Sequence, residues 1–329
     1  MIAAEETITA MFLTLPIRNR FANVSSLASA LVVSSATLIT HVSAQNLTGL
    51  SDYSVVVSGD LTTSSDIEGR TLVGGDFAGS NSSNLALRLQ NNVPSSLFTL
   101  QVAGDIQSGN PINLNAGSIE LGGSIGRRVN FNGGGSLVSN PGVSYDAIFS
   151  QLDNASTTLA NLSSNSTASI PTGQPGPLIF NANPDQNGTA VFSYGGSEIF
   201  SNSNVQQIEI DVNSASVIVI NVSGTEITWN SGNKVGAFTD LAVRESVIWN
   251  FYEAETIDFQ SRNFNGQVLA PNATVTTAGN IDGSIYARNL ITTAEVHLPT
   301  FNGTLVPEPS SAALLGLAGL ALTFRRNRR

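Results

Sequence analysis

The chain contains no cysteine, so disulfides, thiolate metal sites and cysteine nucleophiles are excluded together. Histidine is nearly missing: His41 lies in a presumed leader, so His297 is the only one available to a folded body. A serine hydrolase would have to build its triad on His297, and no G-x-S-x-G elbow is present. There is a single lysine, Lys234, and basic residues cluster at the two ends. Residues 45 to 305 hold 8 basic and 21 acidic residues, a net of −13, which repels phosphate backbones and argues against nucleic acid as a partner. With charged residues at 12% and aromatics at 7%, long amphipathic helices are not expected to dominate. What is abundant is Gly, Ser, Thr and Asn, a composition suited to short strands joined by tight turns.

The two ends read as targeting segments. Residues 11 to 44 combine Arg18 and Arg20, an apolar stretch from Leu27 to Ile39, and the small-residue site Val42-Ser43-Ala44. This is the three-part pattern of a secretory signal, with cleavage expected between Ala44 and Gln45 and translation expected to start at Met11. At the other end Val306-Pro307-Glu308-Pro309 precedes fifteen uncharged residues, Ser310 to Phe324, and then Arg325, Arg326, Arg328 and Arg329. As a helix the run spans about 22 Å, short of a hydrocarbon core of about 30 Å. Paired prolines keep the motif extended and outside the helix that follows. Motif, apolar helix and basic tail in this order resemble the PEP-CTERM sorting signal of Gram-negative bacteria. The resemblance implies an exosortase as partner, transient membrane retention through the C-terminal helix, and delivery to the outer surface or extracellular matrix.

Between the ends one pattern recurs: "VSGDL" at 57, "VGGDF" at 73, "VAGDI" at 102, "LGGSI" at 121 and "IDGSI" at 281, with relaxed copies "FNGQV" at 264 and "FNGTL" at 301. Its glycines are Gly59, Gly75, Gly104, Gly123, Gly266, Gly283 and Gly303. Steps of 16 to 20 residues, with one of 29 between Gly75 and Gly104, fit coils of a β-solenoid in which glycine takes each tight bend. "YDAIFSQLDNASTTLANL" at 145 to 162 sets Ile148, Phe149, Leu152, Ala155, Leu159 and Leu162 near helical spacing, which predicts one amphipathic helix along the solenoid. "SNSTASIPTGQPGP" at 164 to 177 reads as a polar connector, and the runs at 190, 206, 216, 225 and 245 read as strands. The expected fold is therefore mostly β: an irregular, β-helix-like solenoid over 45 to 305 with one helix packed alongside, plus a C-terminal hydrophobic helix within a sorting signal over 306 to 329.

The opening "YSVVVSGDLTTSSDIEGRTLVGGDF" and closing "FNGQVLAPNATVTTAGNIDGSIYARNLITTAEVHLPTFNG" resemble the choice-of-anchor A family of bacterial surface proteins. That resemblance implies an adhesive, non-enzymatic domain whose partner is an extracellular polysaccharide, a surface glycan or a protein, and it brings no catalytic residues with it. Two alternatives compete. Carboxylates at Glu253, Glu255 and Asp258, or at Asp66 and Glu68, could serve a polysaccharide-active enzyme. Thr-x-Thr steps such as Thr274-Val-Thr276 could form an ice-binding ladder, although they do not recur at the repeat period. No cofactor is required. Calcium at the stacked Gly-Asp steps of Asp60, Asp76 and Asp105 is an option, weakened by the absence of the calcium-binding nonapeptide.

Overall fold

The computed structural model describes residues 47–305. The expected leader with Ala44 and Gln45, the motif Val306 to Pro309, the expected C-terminal helix and the four terminal arginines lie outside the described residues. Among the described residues no helix is long and apolar enough to cross a membrane.

The architecture is a β-solenoid. Ten parallel strands stack into one ladder: β1 (Val55–Val57), β2 (Thr71–Val73), β3 (Phe98–Val102), β4 (Ser118–Leu121), β5 (Leu137–Ser139), β6 (Thr189–Gly195), β7 (Val217–Ser223), β8 (Val247–Asn250), β9 (Gln267–Thr277) and β10 (Ile285–Thr292). Their order in space is β5-β4-β3-β2-β1-β10-β9-β8-β7-β6. The chain thus starts in the middle of the stack, climbs to one end, returns to the other end, and winds back until its last coil meets its first. At that junction Val55, Val56 and Val57 pair with Ile285, Tyr286 and Ala287. The two sequence blocks of repeats, far apart in the chain, form one continuous array.

Each coil has three faces. The first is the ladder, and its strands are apolar on both sides: Val55 to Val57 and Val217 to Ile220 are all buried. One side faces the interior; the other lies under the helix α1 (Asp146–Ala160), which buries Phe149, Leu152, Ala155 and Leu159 against Val56, Val219, Ile248 and Tyr286. A continuous apolar run is what a strand buried on both faces requires. The helix is fixed by a buried polar set: Ser156 Oγ donates to Asn250 Oδ1 (2.6 Å), and Asn250 Nδ2 donates to Asn221 Oδ1 (2.8 Å) and to the Ser156 carbonyl (2.9 Å). Tyr286 also donates to Asp153 on the helix (2.6 Å).

The segment expected to be a plain connector contains Thr167–Ser169, which pairs antiparallel with Gly176–Asn181 and belongs to a four-stranded side sheet. Pro171, Gly173 and Pro175 sit in the turn of that hairpin. The aromatics, few as they are, gather in one region: Phe180, Phe200, Trp229, Trp249, Phe251, Phe259 and Phe264 pack mostly edge-to-face or tilted, with Phe259 and Phe264 stacked, at 4.3–6.3 Å between ring centroids.

Candidate binding face

The second face begins where each coil turns off the ladder. Gly59, Gly75, Gly104 and Gly123 stand at this corner one above another. None is in the left-handed region; what the position demands is room. A Cβ on Gly75 would lie 2.2 Å from Asp60 Oδ1, on Gly104 2.4 Å from Asp76 Oδ1, and on Gly123 2.3 Å from Asp105 Oδ1. The carboxylates crowd these glycines because each accepts a backbone N–H from the next coil: Asp76 N to Asp60 Oδ1 (2.8 Å), Asp105 N to Asp76 Oδ1 (2.8 Å), Ser124 N to Asp105 Oδ1 (2.6 Å). At the junction Asn289 takes the same role, accepting from Asp60 N (2.9 Å) while its own amide donates to Thr274 Oγ1 (3.0 Å). The Gly-Asp step is therefore a coil-to-coil clamp. The Ser124 amide and hydroxyl hold the Asp105 carboxyl below its ordinary range. Among the described residues no group of three or more His, Asp or Glu side chains is arranged to hold a metal ion.

Gly266 and Gly283 mark a different corner, where the third face returns to the ladder. Gly266 has φ +100°, and a Cβ on Gly283 would strike the Gly266 carbonyl at 2.2 Å. Gly303 lies beyond the last coil, 2.6 Å from the Phe301 ring by the same measure.

Past the first corner, short strands on successive coils align in register. Inward, Ile227, Ile257, Val275, Leu290, Leu61 and Phe77 form one buried column. Outward, two columns alternate with it, as the period of two demands. One runs Glu226, Thr256, Thr274, Asn289; the other runs Thr228, Asp258, Thr276, Ile291, Thr62, Ala78. Parallel stacking places neighbours within a column about 4.8 Å apart. The threonine steps read in the sequence are thus part of a longer array: Thr256 is the cross-strand partner of Thr274, and Asp258 of Thr276. Thr256 precedes Thr274 by 18 residues, within the repeat period, but the pair was hidden because Asp258 takes the second position of its step. Thr228, Thr276, Ile291 and Thr62 are exposed, in contrast to the ladder face under its helix.

The third face carries polar ladders instead. Asn84 Nδ2 donates to Asp66 Oδ1 (3.0 Å), Asn113 to Asn84 (3.2 Å) and Asn130 to Asn113 (2.8 Å). Here too stands His297, with Nδ1 at 2.7 Å from Asp282 Oδ1 and Nε2 at 2.7 Å from Glu295 Oε2. Burial alone would lower its pKa; the bonds to Glu295 and Asp282 outweigh that and raise it. Both ring nitrogens are taken by carboxylates, so neither is left to activate a hydroxyl.

Four of the five carboxylates weighed for catalysis are engaged in holding the fold. Glu253 accepts from Gly224 N (2.6 Å), Asp258 from Gln260 N (2.8 Å), Asp66 from Asn84 N (2.8 Å), and Glu68 from Arg88 Nε (3.0 Å) and Leu298 N (2.8 Å).

A parallel solenoid with one side sealed by a helix, one side laced by polar ladders and one side presenting two side-chain columns defines a surface-binding domain. Residues 46–298 match a family described as an ice-binding-like adhesive domain, and the chain belongs to that family. Residues 305–329 match the PEP-CTERM protein-sorting motif, which implies exosortase processing and marks an exported surface protein. No curated protein matches the chain. Among solved structures, the ice-binding protein of the Antarctic ascomycete Antarctomyces psychrotrophicus aligns at TM-score 0.40 and 12% identity, covering 78% of this chain and 100% of that one. An ice-binding protein from an Antarctic biological consortium (0.34, 13%, 78% and 90%) and one from an Antarctic Flavobacteriaceae bacterium (0.32, 13%, 79% and 100%) align more weakly. At these scores the likeness assigns neither ligand nor site.

Proposed function

We propose that the protein is an adhesin of the choice-of-anchor A type, acting at the cell surface or in the extracellular matrix. It holds an extended, hydrated polymer, a polysaccharide or surface glycan, by non-catalytic contact along the flat second face once an exosortase has removed the C-terminal signal. The observation that carries this reading is the register of outward side chains over six successive coils, from Glu226 and Thr228 to Ala78. Hydroxyl, amide and carboxylate groups at strand spacing give many equivalent hydrogen-bonding positions. Each contact contributes little, and the array gains by multivalency.

Ice is the second reading, favoured by the Thr256–Thr274 pair, Thr276 and Thr62 on one face. Against it stand Glu226 and Asp258 in the same columns, since ionised carboxylates hold their own hydration tightly.

Thr276→Tyr separates these readings. It plants a ring in the middle of the face at an exposed position, and retention of the exported protein on immobilised polysaccharide should fall about tenfold with folding unchanged. Unaltered retention refutes the face as the contact surface. Thermal hysteresis in the wild type that vanishes in the variant replaces the polymer with ice. Release of reducing ends, lost in Glu255→Gln, replaces adhesion with catalysis.

A further inference from the structure

One cleft lies just around the corner from the flat face. Its volume is about 760 Å³, and its walls come from Trp229, Asn230, Asn233 and Lys234, from Gln260 to Asn263, and from Arg244 and Asp282. Thr228 and Asp258 belong to the flat face, and the chain enters the cleft one and two residues later, at Trp229 and Gln260.

The charge of this cleft departs from that of the body. Three of the 8 basic residues between 45 and 305 line it, Lys234, Arg244 and Arg262, against one carboxylate, Asp282. Two of the three are committed. Arg262 spends its guanidinium on the carbonyls of Trp229, Asn230 and Gly232 and on Asn233 Oδ1. Lys234 turns its amine away, among the aromatic rings. Arg244 is only partly committed: Nη1 is ion-paired with Asp282 Oδ2 at 3.6 Å, beyond hydrogen-bond length, and its Nε is buried without a hydrogen-bond partner. Asp282 is itself occupied by His297 (2.7 Å) and Asn265 (3.1 Å). A buried guanidinium nitrogen without an acceptor is costly and rare. Because Nε is sealed off, a ligand in the cleft meets the guanidinium through its Nη groups, where a planar carboxylate takes adjacent N–H donors side by side.

Around Arg244 the cleft offers amide side chains, Asn230, Asn233, Gln260 and Asn263, each able both to donate to and to accept from hydroxyls. Guanidinium for a carboxylate and amides for hydroxyls is the donor set of an acidic sugar. We propose that this cleft binds a uronate residue, with Arg244 pairing its carboxylate, as a second contact that selects acidic over neutral polysaccharides. The inference rests on the polymer-binding reading above, but the two fail separately.

The test is calorimetric titration of the exported protein with trigalacturonate, maltotriose and inorganic sulfate. Trigalacturonate binds, more weakly as salt rises, and maltotriose binds at least tenfold less tightly. Arg244→Gln lowers trigalacturonate affinity by about tenfold or more. Asn230→Glu does the same from an exposed position, by setting a like charge at the mouth, so a folding defect at Arg244 does not decide the matter. Equal affinity for maltotriose, tighter binding of sulfate than of trigalacturonate, or an unchanged affinity in Asn230→Glu overturns the proposal. Failure of the flat-face reading shows instead as absent retention of the wild type on neutral polysaccharide.

Discussion

Replacing Lys234 with methionine should stabilise the protein, and the gain should depend on pH. The lysine amine has no hydrogen-bond partner and lies 3.1 Å from the ring centroid of Phe264, 4.3 Å from Trp229 and 4.5 Å from Trp249. Burial drives its pKa well below the ordinary 10.5. In the unfolded chain the amine is protonated up to about pH 10.4. Between the folded and unfolded values the unfolded state therefore binds the extra proton, so wild-type stability falls as pH drops from 10.5, by about 1.4 kcal/mol per pH unit. Methionine matches the length of the stem, makes favourable sulfur–aromatic contacts and carries no proton. The stability gap between Lys234→Met and wild type should accordingly close as pH approaches 10.5 and widen as pH falls below it. For a domain of this size that slope amounts to roughly 3–6 °C in Tm per pH unit. Denaturation of both proteins at pH 8, 9 and 10 measures it. A gap that stays constant with pH, or a variant less stable throughout, would show that the ring faces hold the amine as a cation and would refute the reasoning.

Two further outcomes follow from the corners and from His297. Gly104→Ala forces a methyl to within 2.4 Å of Asp76 Oδ1 and 2.5 Å of the Gly75 carbonyl, and should cost about 1–3 kcal/mol in chemical denaturation, whereas Gly142→Ala, which meets nothing within 4 Å, should cost only what its φ of +82° imposes. Because the pKa of His297 is raised, its contribution to stability is full below about pH 6.5 and is lost as pH rises through the folded value; His297→Gln should flatten the stability profile in that window, and an unchanged profile would mean that Asp282 and Glu295 do not clamp an imidazolium.

Much of the fold was legible because coil geometry leaves a periodic mark. The glycine steps give the circumference of a coil, and the 29-residue step from Gly75 to Gly104 is a single rung with an insertion, since Asp105 N still bonds Asp76 Oδ1. The helix showed itself because Phe149, Leu152, Ala155 and Leu159 repeat at the helical period. The stacking order did not show, because a repeat length fixes how far a coil travels and not which coil it lands on. One pattern also stood for two corners: a glycine beside Asp60 leaves room for a carboxylate, while Gly266 takes a positive φ. Arg244 carried no signal at all. Its weak pairing comes from Asp282 being shared with His297 and Asn265, a matter of three-dimensional competition for acceptors.

The junction of β1 with β10 sets a schedule for the molecule. Asp60 must find Asn289, 229 residues later, before the middle of the stack is sealed. Until then the edge of Val55 to Val57 stays open, and such distant pairings close slowly. A nascent chain therefore cannot finish folding from its first half alone. The lock on the stack is forged only from its last coil.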